Sequence, residues 1–153
     1  MQAVLASVWL ALAASCPASP VHYERLAGVE PALASLPWIA PEPRRVGLVG
    51  HLFYYSALPW GRSRVRSFRI YSGGSAPGGR LQMKILWSAP DPLEGRPLVL
   101  RGRRLGRPGR FVQRLAVGPS IVNVPSPGCW RLTLRVGRVT TRLTVLALRG
   151  ATR

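Results

Sequence analysis

The sequence predicts an all-β fold, an antiparallel β-sandwich of seven or eight short strands. Three observations carry that expectation. Apolar and polar residues alternate with period two along several segments beyond Val46. Gly- or Pro-bearing turns break the pattern every eight to twelve residues. Nothing beyond Val46 shows the apolar spacing of a helix.

The elements follow in order. Residues 46–55 are apolar and aromatic, and residues 64–71 resume after a Pro59-Trp60-Gly61 turn. Residues 72–80 hold four Gly and a Pro and read as a loop. Residues 81–87 alternate cleanly: Leu81, Met83, Ile85 and Trp87 on one face, Gln82, Lys84 and Leu86 on the other. A Pro90-Asp91-Pro92 turn ends that strand. Residues 98–105, 110–116 and 121–124 follow, each bounded by Gly or Pro. Trp130, Leu132, Leu134 and Val136 then alternate with Arg131, Thr133 and Arg135. Gly137-Arg138 suits a two-residue hairpin turn with Gly first. Val139, Thr141, Leu143, Val145 and Ala147 line one face of the last strand.

A length of 153 residues suits one domain. Hydrophobic residues make up 47%, which excludes a disordered polyelectrolyte. Gly and Pro together number 31 (16 plus 15), below the share of roughly 25–30% that marks low complexity. The net charge is +17, and all but one of the 22 basic residues are Arg; the exception is Lys84. Residues 1–94 carry nine bases and five acids, a balance of +4. Residues 95–153 carry thirteen Arg and no acid, a balance of +13. That half should attract polyanions: nucleic acid, lipid headgroups or acidic envelope polymers. Equally, an Arg-for-Lys bias of this size fits a GC-rich genome, which loads exposed positions with Arg whatever the ligand.

Residues 3–14 form an uncharged run of Ala, Val, Leu, Trp and one Ser, followed by the small residues Ala13-Ala14-Ser15-Cys16. At about twelve residues the run falls short of the roughly 20 needed to span a bilayer. It fits the apolar region of a secretory signal peptide with a small-residue cleavage site. Leu12-Ala13-Ala14-Ser15-Cys16 resembles a bacterial lipobox. Ala13 stands where Leu is commoner, and no basic residue precedes the run. The resemblance implies lipidation of Cys16 and a membrane-anchored, extracytoplasmic protein. The cysteine count leaves a second option. Cys16 and Cys129 are the only two, and in an oxidising compartment they could form a disulfide. The expected organisation is a signal segment at 1–15, a Pro-rich linker or tether at 16–45, and the sandwich at 46–153.

The block Pro125-Ser126-Pro127-Gly128-Cys129-Trp130-Arg131-Leu132-Thr133-Leu134 resembles the strand before the final hairpin of immunoglobulin-like bacterial modules. With residues 119–124 it also resembles the C-terminal part of small exported bacterial proteins, some of them lipoproteins. The resemblance implies an immunoglobulin-like sandwich outside the cytoplasm and brings no activity with it. In physical terms, Gly128 lets the chain turn into the strand and Trp130 anchors the core.

The residues offer little to catalysis, and no cofactor or metal is implied. Asp91 and Glu94 are close in sequence, but on a solvated turn. Ser120, His51 and Asp91 can be written as a triad, and Cys129 with His51 as a thiol pair, without any spacing that favours either. Gly95-Arg96-Pro97 and Gly106-Arg107-Pro108 match only part of the Arg-Gly-Arg-Pro core of minor-groove hooks, and export points away from nucleic acid. The expected function is therefore a non-catalytic binding or structural domain of the bacterial envelope, lipid-anchored at Cys16. The alternative is a polyanion-binding protein that uses Arg101, Arg103, Arg104, Arg107 and Arg110.

Overall fold

The computed structural model describes residues 15–152. The expected signal run at 3–14 lies outside them. Nine strands form among the described residues: β1 (Trp38–Ile39), β2 (Val49–Leu52), β3 (Arg69–Tyr71), β4 (Lys84–Ser88), β5 (Pro97–Arg104), β6 (Arg110–Ala116), β7 (Pro119–Ile121), β8 (Gly128–Val136) and β9 (Val139–Leu148). They make a four-stranded sheet in the order β1-β2-β4-β7 and a five-stranded sheet in the order β3-β9-β8-β5-β6. The chain is an all-β sandwich.

Its wiring explains the immunoglobulin-like reading. β2 pairs with β4 in one sheet, and β3 then crosses to the other sheet beside β9. The chain crosses again between β3 and β4, between β4 and β5, between β6 and β7, and between β7 and β8. These crossings put β4 and β7 opposite β5, β8 and β9, the B-E and C-F-G places of the fold. One pairing departs from the antiparallel expectation: β3 runs parallel to β9.

Alternation decides which side chains fill the space between the sheets. Met83, just before β4, and Ile85 and Trp87 from β4 meet Leu98 and Leu100 from β5, and Trp130, Leu132 and Leu134 from β8, all buried. β9 adds Leu143, Val145 and Ala147. The indole N–H of Trp130 donates to the Ser126 carbonyl at 2.9 Å, so this ring is buried without an orphaned donor. The β8–β9 hairpin closes as its sequence requires, with Val136 opposite Val139 and Gly137 at φ 59°. Gly102 is needed for a different reason. Phe111 of β6 lies over it, and a Cβ there would come within 1.9 Å of the ring. From that position Phe111 meets Trp130 edge-on at 5.4 Å.

Residues 16–45 are not a free tether. Val21, Ala34, Trp38 and Ile39 are buried, and β1 extends the four-stranded sheet with Trp38 opposite His51. Ser19 bonds to Thr144, Val21 to Arg66, His22 to Trp38 and Glu42 to Arg142. The segment is thus a strap that runs from β9 round to the edge beside β1. Its prolines suit such a path, because a residue without an N–H is tolerated at a sheet edge. Two single-turn helices, α1 (Pro31–Ala34) and α2 (Pro59–Arg62), sit in connections and both start on Pro.

Several contacts hold the layers in place. Gln113 of β6 reaches across to the chain around β7, donating to the Ile121 carbonyl and accepting from the Asn123 N–H. Near α2, Tyr54, Tyr55, Trp60 and Tyr71 form an aromatic cluster. The Tyr54 hydroxyl donates to the Arg69 carbonyl, and the Tyr55 hydroxyl accepts from the Arg69 N–H. Burial pushes both phenols above their ordinary pKa, so both stay neutral.

Candidate functional site

The period-two pattern that buries Trp130 and Leu132 turns Cys129, Arg131, Thr133 and Arg135 outward. On β5 the outward residues include Val99, Arg101 and Arg103; on β6 they are Arg110, Val112, Arg114 and Ala116. Register then sets the neighbours. Arg103 stands opposite Arg110 on one side and Arg131 on the other. Arg101 stands between Val112 and Thr133, and Val99 between Arg114 and Arg135.

The Arg110–Arg103–Arg131 row is electrostatically unusual. Cross-strand neighbours sit with Cβ atoms about 4.5–5.5 Å apart, and like charges in such pairs are destabilising. The other rows interleave Arg with Val or Thr. The row also lacks carboxylates. Among the described residues the sole ion pair is His22 with Glu24, on the N-terminal strap. A shallow depression of about 290 Å³ lies over the row, lined by Arg101, Arg103, Arg110, Arg131, Val112 and Thr133. Val112 is 54% exposed among these guanidinium groups.

The five arginines singled out by sequence do not act together. Arg101, Arg103 and Arg110 converge on the depression. Arg107 lies in the β5–β6 connection, exposed and off the sheet. Arg104 is committed elsewhere: it donates to the Pro127 carbonyl and packs over Gly128. Proximity in sequence missed Arg131, which β8 brings beside β5 from 28 residues away (131 − 103). Alternation of the Trp130 strand marks Arg131 as outward, but only register places it beside Arg103.

Cys129 lies on this same outward face and is disulfide-bonded to Cys16, with Cα atoms 5.5 Å apart. The Cys16 sulfur also lies 3.7 Å from the Val145 carbonyl. Of the two fates open to Cys16, the structure carries the disulfide. A sulfur joined to another sulfur has no valence left for a thioether, so this disulfide and a lipid at Cys16 exclude one another.

No family model, curated protein or solved structure matches the chain.

The possible catalytic groupings do not assemble. His51 is opposite Leu86 on the outward side of the four-stranded sheet, whereas Ser120 is opposite Ile85 on the inward side. His51 is fully buried, with Nε2 3.2 Å from the Ser88 hydroxyl and Nδ1 without a partner. Burial lowers its pKa, which favours the neutral ring. Asp91 and Glu94 are exposed, and the Cys129 sulfur is already bonded. A second, more polar recess of about 660 Å³ lies along residues 20–25 beside Arg64 and Arg66. There the Tyr23 hydroxyl donates to the Val65 carbonyl at 2.7 Å, and the Arg64 guanidinium lies 5.8 Å from the Tyr23 ring centre.

Proposed function

We propose that the chain is an exported, non-catalytic binding domain of the bacterial envelope. Its N-terminal strap is closed by a disulfide, and its contact surface is the Arg-bearing face of the five-stranded sheet. The observation that carries this reading is the Cys16–Cys129 bond. It pairs the only two cysteines across 113 positions, in the manner of proteins that mature in oxidising compartments. The apolar run at 3–14 supports the same location. A lipid at Cys16 is the competing fate. Attachment to the membrane through that residue therefore gives way here to a secreted domain.

The test is to block free thiols in intact cells expressing the chain, denature, reduce and label again, fraction by fraction, with a parallel fatty-acid label. The expected result is two masked thiols in the extracytoplasmic fraction and no acyl label. Two free thiols in the cytosol would end the export reading. Acyl label lost in Cys16→Ser would return the lipoprotein and remove the disulfide.

The polyanion reading is favoured by a separate observation, the three-arginine row. It does not compete with export if the anion lies outside the cytoplasm.

A further inference from the structure

We infer that the outer face of the five-stranded sheet docks on an anionic lipid surface, with the Arg110–Arg103–Arg131 row set against phosphate headgroups. This rests on the extracytoplasmic reading above and names the partner of that face.

Charge complementarity is the first argument. The row places three guanidinium groups side by side without a carboxylate, at a cost in stability that a bound layer of phosphates removes. Shape is the second. Arg114 and Arg135 continue the charge, so it spreads over three adjacent strands, β6, β5 and β8, and stops at β9, where Glu42 stands opposite Arg142. Neighbours lie about 5 Å apart across strands and about 7 Å apart along them, which makes an area and not a line. A single polymer chain would use one stripe of that area; a sheet of headgroups uses all of it. The exposed Val112 side chain is the third. Standing among guanidinium groups, it suits the boundary where headgroups meet acyl chains.

The fourth argument is where the chain leaves the described residues. Cys16 is held to Cys129, on this same face and two positions from Arg131. Cys16, which follows the apolar run at 3–14 in sequence, is therefore held on the side that carries the arginines.

The test is sedimentation of the oxidised full chain with vesicles of about 30% phosphatidylglycerol in phosphatidylcholine, against phosphatidylcholine alone. Neutral vesicles account for any insertion of the apolar run. The wild type is expected to partition onto the anionic vesicles in excess of the neutral ones, and to lose that excess as salt rises. Each Arg near such a surface contributes about a fivefold gain, so Arg103→Gln with Arg110→Gln and Arg131→Gln is expected to cost about a hundredfold. The control changes Arg45, Arg62 and Arg80 to Gln, three exposed positions off this face with the same loss of charge. It should stay within about threefold of the wild type. The single variant Arg103→Thr, at an exposed strand position, should lose about fivefold and serves if the triple variant does not fold.

Equal losses in both triple variants would mean that net charge acts without a face, and would overturn the inference. So would the absence of any excess on anionic vesicles. Tighter binding to soluble polyphosphate than to vesicles, at matched phosphate and salt, would replace the lipid surface with a polymer. The vesicle assay uses purified protein and the thiol assay uses cell fractions, so the failure of either reading is seen separately.

Discussion

Removing the Cys16–Cys129 bond should cost this domain a large share of its stability. The bond closes a loop of 113 positions, which takes in every described strand before β8. In the chain-entropy model, a loop of that length restricts the unfolded state by about 5 kcal/mol at room temperature. Domains of this size hold a total stability of roughly 5–15 kcal/mol. Reduction should therefore lower Tm by about 10–20 °C, and the double variant Cys16→Ala with Cys129→Ala should match the reduced protein. Pairing the two variants avoids leaving one reactive thiol. The assay is thermal and urea unfolding followed by near-ultraviolet dichroism, with and without reductant. The urea slope should change as well, because the unfolded chain without the cross-link is more extended. A difference under about 1 kcal/mol between oxidised and reduced protein would refute the reasoning. It would mean that the strap holds its place without the cross-link, through its backbone bonds to Thr144, Arg66 and Arg142 and its buried side chains.

Other perturbations have distinct signatures. Gly102→Val should displace Phe111 from its seat and cost about 2–3 kcal/mol by urea unfolding; an unchanged midpoint would show that the ring is free to move. Arg103→Thr should raise stability by up to about 1 kcal/mol at low salt, with the gain fading at high salt, because it separates Arg110 from Arg131; a loss at every salt concentration would count against like-charge strain in the row. His51 binds a proton less readily in the folded protein than in the unfolded chain. Stability should therefore fall as pH drops below about 6.5, by at most about 1.4 kcal/mol per pH unit until the folded ring also titrates. His51→Gln should flatten that part of the pH profile, and a slope left unchanged in the variant would place its origin elsewhere.

Much of the sandwich was legible because half-buried strands leave a period-two record. The segments around Met83, Trp130 and Leu143 each showed their buried face directly, and each buries those residues. β1 left no such record: two residues, Trp38 and Ile39, are too short to show a period. The prolines around them are what an edge strap needs, but they read equally well as a linker. The parallel pairing of β3 with β9 is a tertiary choice, made when the chain changes sheet, and no local pattern specifies it. The site was half legible for the same reason. Alternation marked which arginines face outward, but only register brings Arg131 beside Arg103 and ties Arg104 to the Pro127 carbonyl. The cysteine count gave the possible pair; the fold supplied the proximity that decides it.

The strap also sets a schedule. Synthesis delivers Cys16 at the start and its partner 113 residues later, and the Thr144 backbone that Ser19 grips comes later still. The first part of the domain to be made is thus among the last able to dock, and contacts of such long range form slowly. A chain that cannot close until its end has arrived stays open long enough to be threaded through a narrow passage. On the export reading proposed above, closure is completed on the far side, where a thiol oxidant can join Cys16 to Cys129.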